Sequence, residues 1–102
     1  MTNPLLAGLK PMHPGELIRE DILPALNVGK AFLARALGIS RTQLYDILEE
    51  RKPVTPRMAL RLSKALGNSA EFWCNLQSAY DLATLAPAME EALSSVRELQ
   101  AV

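Results

Sequence analysis

The stretch "LARALGISRTQLYDI", residues 33–47, holds two helical patterns with only Gly38, Ile39 and Ser40 between them. Leu33 and Leu37 are four apart with Ala34 beside them, and Leu44 and Ile47 carry an apolar stripe on the far side. Gly38 can take a positive φ at no steric cost, so it ends the first helix. Ser40 then caps the second, and Gln43 three residues on completes a capping box. A gap this short leaves neither helix room to escape the other. Two steeply crossing helices need a small residue at their contact, here Ala34, and an apolar plug in the turn, here Ile39. The spacing is that of a helix-turn-helix, although a purely structural helical hairpin would satisfy part of it.

Working outward, the chain has 102 residues, about half of them apolar, which is enough for one domain with a modest core. Leu and Ala dominate the apolar set and strand signals are scarce, so the fold expected is all-α, with five to six helices. Pro14 after His13 starts a helix over about residues 14–23, which Pro24 ends or bends. Thr55 and Pro56 open another that closes at Gly67, with Leu60, Leu62 and Leu66 inside. Asn68 and Glu71 form a second candidate capping box, ahead of a helix through Phe72, Trp73, Leu76, Tyr80 and Leu82. After Pro87, "AMEEALSSVREL" continues as an amphipathic helix. Residues 1–11 are expected to form a flexible arm, residues 12–84 the helix-turn-helix domain, and residues 85–102 a C-terminal helix serving dimerisation. The N-terminal "MTNPLLAGLK" has no basic region and too short an apolar run for a secretory signal, and no apolar run would span a membrane, so a cytoplasmic location is expected.

Net charge is zero, but its distribution is uneven. Residues 27–67 carry eight basic side chains against three acidic, a net +5, while residues 68–102 carry one against five, a net −4. A basic middle suits phosphate and leaves the other faces for another partner. If the second helix of the pair enters a major groove, its early residues Ser40, Arg41, Thr42, Gln43 and Tyr45 reach the bases. Arg41 matches guanine O6 and N7, Gln43 matches adenine, and Thr42 matches phosphate or a thymine methyl. Lys30, Arg51 and Lys52 are better placed for phosphate. Each of these is also what an ordinary solvated helix face would show, and Gln43 has a full explanation as a cap. Asp46, Glu49 and Glu50 oppose phosphate and weaken binding unless they are otherwise engaged.

The runs "MHPGELIRE" (12–20), "LARALGISR" (33–41), "VTPRMALRLSKALG" (54–67) and "SAEFWCNLQSAYDL" (69–82) together resemble the HigA-type antitoxins, a branch of the Cro and phage-repressor, Xre-like helix-turn-helix superfamily. "HPGE" and "EFWCNLQSAYDL" are the parts that generic repressors of this superfamily lack. The resemblance implies a lambda-repressor-like fold and a dimer that represses its own operon at a palindromic operator. It also implies a partner, a small basic mRNA-cleaving toxin that the dimer silences. Members of the family often carry Asn-Gly where Glu49-Glu50 stands, so the recognition helix is expected to run longer here. Lys30 and Gly29 also depart from the family's usual glutamine and Ser or Thr cap.

One recognition helix covers few base pairs, so two-fold pairing is expected, through Leu85, Met89, Leu93, Val96 and Leu99, with Tyr80 and Leu82 beside them. A basic toxin would be drawn to acidic surface, and Glu16, Glu20 and Asp21 on the first helix supply it. No enzyme chemistry is legible. His13 stands alone before a helix-starting proline, which suits a cap or a surface position. Cys74 beside Trp73 suits core packing, and Glu90 and Glu91 are adjacent and diverge around a helix. No metal spacing, phosphate loop or nucleophile pair is present in the sequence, so neither a cofactor nor a metal is expected. Two other readings stay open: a repressor of the same fold without a toxin, and a helical protein-interaction module with weakened DNA binding.

Overall fold

The computed structural model describes residues 10–100, in which every regular element is helical. The expected N-terminal arm therefore lies outside the described residues up to residue 9. Helix α1 (Pro14–Leu17) starts at a proline whose missing N–H would have no helical partner anyway. His13 caps it, its Nδ1 accepting a hydrogen bond from the Gly15 N–H at 2.9 Å. A π-helical turn follows (Ile18–Ile22), then α2 (Leu23–Leu26), so of the two outcomes expected at Pro24, an end or a bend, the end does not occur. The widened turn is the reason. The Leu23 N–H reaches back five residues to the Ile18 carbonyl, which opens the backbone where the Pro24 ring would otherwise crowd it. Asn27, left-handed at φ 54°, makes the stop instead.

The next three helices follow the sequence signals closely. Helix α3 (Lys30–Leu37) ends at left-handed Gly38, and α4 (Arg41–Leu48) starts from a complete Ser40–Gln43 capping box. Thr55 caps α5 (Pro56–Leu66), which closes at left-handed Gly67. Helix α6 (Ala70–Ala88) is capped by Ser69, which accepts from the Phe72 N–H at 3.0 Å. Asn68, expected as that cap, instead accepts from the indole N–H of Trp73 at 2.8 Å and satisfies a buried donor.

The C-terminal end departs from expectation. Pro87 lies inside the last turn of α6, a short α7 (Glu90–Ser94) follows, and no helix continues over residues 95–100. Ser94 and Ser95 explain the stop, since their hydroxyls donate to the Glu91 and Ala92 carbonyls and compete with the helical ladder.

The core gathers Ile18, Leu33, Ala34, Leu37, Leu44, Leu48, Ala59, Leu62 and Trp73, with α5 against α6, α3 against α4 and α5, and α1 against α4 and α6. Leu62 is buried as expected and Leu66 partly so, but Leu60 is 63% exposed because Ala59, not Leu60, lies on the inward face of α5. One buried polar side chain bridges elements: Gln77 accepts from the Val54 N–H at 2.7 Å and donates to Asp81 at 2.9 Å. The radius of gyration is 16.7 Å, against about 13 Å for a compact chain of about 100 residues. The excess reflects the far end of α6 and α7, where every residue from Leu82 to Gln100 is exposed. No helix among the described residues is long and apolar enough to cross a membrane.

Candidate nucleic-acid interface

Helices α3 and α4 and the turn between them form the site, and residues distant in the chain fix it from three sides. Ala34 is buried at the α3–α4 contact, and the Ile39 N–H bonds the Ala34 carbonyl at 3.1 Å to close the turn. Arg61 from α5 donates to the Leu37 carbonyl at 2.8 Å, placing a cation at the negative end of α3. Arg19 does the same for α4, donating to the Leu48 carbonyl and to Glu50. Its hydrogen bond to Glu20 first, and that to Glu50 next, raise the Arg19 guanidinium above its ordinary value. The third constraint is Gly15. A Cβ there would sit 1.9 Å from the Ile47 carbonyl oxygen, so α1 lies directly against the last turn of α4.

The absence of a glycine does not carry the recognition helix past its C-cap at Glu49. The helix ends at Leu48, and Glu50 takes the left-handed conformation at φ 63° that a glycine would have supplied. The Arg51 and Lys52 N–H groups both bond the Asp46 carbonyl, at 2.8 and 3.1 Å, which with the Arg19 contact holds Glu50 in place.

Ser40, Arg41, Thr42, Gln43 and Tyr45 are all exposed, as the sequence predicts for a reading edge. Arg41 and Tyr45 are one turn apart on one face. Lys30, also exposed, lies with its ammonium 5.3 Å from the Tyr45 ring centroid, which joins the start of α3 to this face. Two of these candidates are already engaged within the chain. Gln43 already spends its carbonyl oxygen on the Ser40 N–H at 2.9 Å, so paired recognition of adenine through both amide atoms is compromised and Nε2 is its free donor. Arg51 is tied to Asp46 at 3.0 Å, while Lys52 is exposed. That pair and the Arg19–Glu50 pair engage two of the three carboxylates that oppose phosphate. Arg35 was not singled out from the sequence. It lines a concavity with Ala31, Ala34, Ile39 and Arg41, and its charge was the only available signal.

The remaining candidates lie elsewhere. His13 is buried, not on the surface, and its ring meets Tyr80 edge-on at 4.9 Å. Burial lowers its pKa below the ordinary 6.5, opposed by the charges of Glu50 and Asp81 and by the Lys52 backbone, and assisted by Arg19. Cys74 is half-buried against the core. Glu20 and Asp21 are exposed, Glu16 is half-buried beside Tyr80 and Thr84, and Glu20 is paired with Arg19 at 2.8 Å. Leu85, Met89, Leu93, Val96 and Leu99 are all exposed and none folds back onto the core.

Comparison with known proteins agrees with this geometry. The helix-turn-helix family model matches residues 25–73. The solved antitoxin GraA is 44% identical, covers 90% of this chain and 100% of its own, and superposes with a TM-score of 0.84. GraA in complex with its operator is 42% identical, with 99% of each chain covered and a TM-score of 0.83. Antitoxin HigA of Pseudomonas aeruginosa, solved with the higBA promoter, is 38% identical over 88% of this chain and 99% of its own, with a TM-score of 0.82. Antitoxin HigA-1 of Vibrio cholerae is 33% identical over 73 residues, 72% of this chain and 69% of that protein.

Proposed function

The chain belongs to the HigA-type antitoxin branch of the helix-turn-helix family, and from that premise we propose that it represses its own operon in the cytoplasm as a dimer and neutralises a small toxin made from the same operon. The observation that carries the reading is the exposed N-terminal half of α4, held in place by Arg61, Arg19 and Gly15 from outside the helix pair. A recognition helix gains specificity only if its side chains arrive in fixed register, and these contacts supply that register before DNA is met.

In this reading Arg41 pairs with guanine in the major groove, and Ser40, Thr42 and Tyr45 flank it. Gln43 caps the helix and offers the two N–H donors of its Nε2. Lys30 and Lys52 take phosphates on either side, with Arg35 added and Arg51 contributing through a side chain already oriented by Asp46. The exposed apolar side chains Leu85, Met89, Leu93, Val96 and Leu99 serve dimerisation, which sets two reading helices about one helical turn, ~34 Å, apart on a palindrome. The acidic surface at Glu16, Glu20 and Asp21 faces the toxin. Relatives that carry the antitoxin name and are solved on operator or promoter DNA support the first half of this reading.

Two experiments test the halves separately. A mobility-shift assay with DNA upstream of the chain's own reading frame should show a saturable complex that random DNA of equal length does not displace. Co-expression with the neighbouring reading frame should yield a complex on tagged purification. A shift without a co-purifying partner leaves a repressor alone and removes the antitoxin half.

A further inference from the structure

Helices α3 and α5 contain no carboxylate, yet each exposes one large apolar side chain: Phe32 at 56% and Leu60 at 63%. Arg57, Leu60, Arg61 and Lys64 recur at the three- and four-residue spacing of a single helical face, and Phe32, Arg35 and Ala36 do the same on α3. Between the helices runs an open groove lined by Ala36, Leu37, Leu60, Arg61, Lys64 and Ala65. It thus has an apolar floor and a basic rim. DNA phosphate has no use for Leu60 in such a floor, or for exposed Phe32 one turn before Ala36 on α3, and a basic protein is repelled by the rim.

The chain itself holds a segment of the opposite character. From Met89 to Leu99 it presents Met89, Leu93, Val96 and Leu99 with Glu90, Glu91 and Glu98 against one Arg97, all of it exposed. This segment does not lie on its own groove. Pairing two such segments with each other would bring six glutamates of two chains together, whereas the groove opposes them with Arg61 and Lys64, and Arg57 lies one turn before Arg61 on the same helical face.

We propose that in the dimer the acidic apolar segment from Met89 to Leu99 of each copy docks in the α3–α5 groove of the other. The inference rests on the dimer reading above and specifies what the C-terminal apolar residues cover. A five-residue helix is marginal alone. Docking gives α7 the tertiary partner that it lacks in the single chain, and offers Leu93 the exposed Leu60 as its apolar contact. The exchange is mutual, so both grooves close under one two-fold axis.

Sedimentation equilibrium of the full chain at low and moderate salt tests this. Arg57→Glu with Lys64→Glu should weaken the dimer about tenfold or more at low salt, with circular dichroism unchanged because both side chains are exposed. Adding Glu90→Lys and Glu91→Lys to that variant should restore most of the affinity. A groove variant that dimerises as tightly as the unaltered chain, or a loss that the second pair does not restore, overturns the docking while leaving a dimer by another face. An unaltered chain that stays monomeric at operator-saturating concentrations overturns the dimer reading itself.

Discussion

Gly15 shows how one residue can matter to a helix it does not belong to. The "HPGE" run is conspicuous in the sequence, but its physical reason appears only when α1 meets α4 and leaves 1.9 Å between a notional Gly15 Cβ and the Ile47 carbonyl oxygen. Backbone cannot yield as a side-chain tip can, so Gly15→Ala should cost about 1–3 kcal/mol of stability by overpacking. Denaturant unfolding checks this, and an unchanged midpoint would mean that α1 does not wedge α4. His13, two residues earlier, couples the same junction to pH. Its Nδ1 accepts the Gly15 N–H, which requires that nitrogen to be unprotonated, and burial lowers its pKa below 6.5. The unfolded chain therefore takes up a proton at a higher pH than the folded one, so unfolding gains from acidification. The contribution of His13 is complete above pH 6.5 and is lost as pH falls from there toward the lower folded value. Thermal midpoints should drop between pH 7.5 and 5 in the unaltered chain and drop less in His13→Asn, which keeps a capping acceptor but does not titrate. Parallel curves would assign the pH dependence to another group.

At the scale of elements, what could be read from the sequence was whatever is encoded within about one helical turn. Gly38, the Ser40–Gln43 box, Thr55 with Pro56 and Gly67 all act on backbone three or four residues away, and all are found as expected. What escaped was set by distant partners. Arg61 looks like one more basic side chain until it is found on the Leu37 carbonyl 24 residues back, and Arg19 until it reaches Leu48 across 29. Pro24 reads as a stop or a bend, and the π-helical turn before it is what the sequence does not disclose. The C-terminal helix ends early because serine hydroxyls compete for carbonyls, an effect that apolar periodicity does not register. The same division separates the side chains proposed to face DNA. Arg41 takes part in none of the three ion pairs among the described residues and stands at the start of α4, so Arg41→Ala should lose about 1–3 kcal/mol of specific operator binding while binding to random DNA changes little. Lys30→Ala or Lys52→Ala should instead weaken binding to all sequences and reduce the salt slope by about one. Titrations on operator and random DNA at several salt concentrations distinguish the two behaviours, and an equal loss on both DNAs for Arg41→Ala would make it a phosphate contact.

Across the whole molecule, zero net charge conceals a division of labour between faces. The +5 middle segment contains the reading helix and the side chains proposed for phosphate, and ion pairs engage two of its three carboxylates, all but Glu49, while the remaining acidic residues lie before and after it. A toxin that must approach RNA phosphate is expected to be basic, so it should meet this chain away from α4, where it would not compete with DNA for the same charge. Glu16, Glu20 and Asp21 offer such a surface, but the three are not equivalent. Glu20 is committed to Arg19, which also holds the end of α4, so reversing it would disturb DNA binding and toxin binding together. Glu16 and Asp21 carry no such burden, and they isolate the steering effect. Glu16→Lys with Asp21→Lys should slow association with the neighbouring toxin severalfold at low salt, the deficit shrinking as the Debye length falls to about 8 Å at physiological ionic strength. Operator affinity should stay the same. Stopped-flow association at two salt concentrations, beside a mobility shift of the same variant, makes the measurement. Rates equal to those of the unaltered chain at both salts would move the toxin surface off the first helix and leave the repressor reading standing.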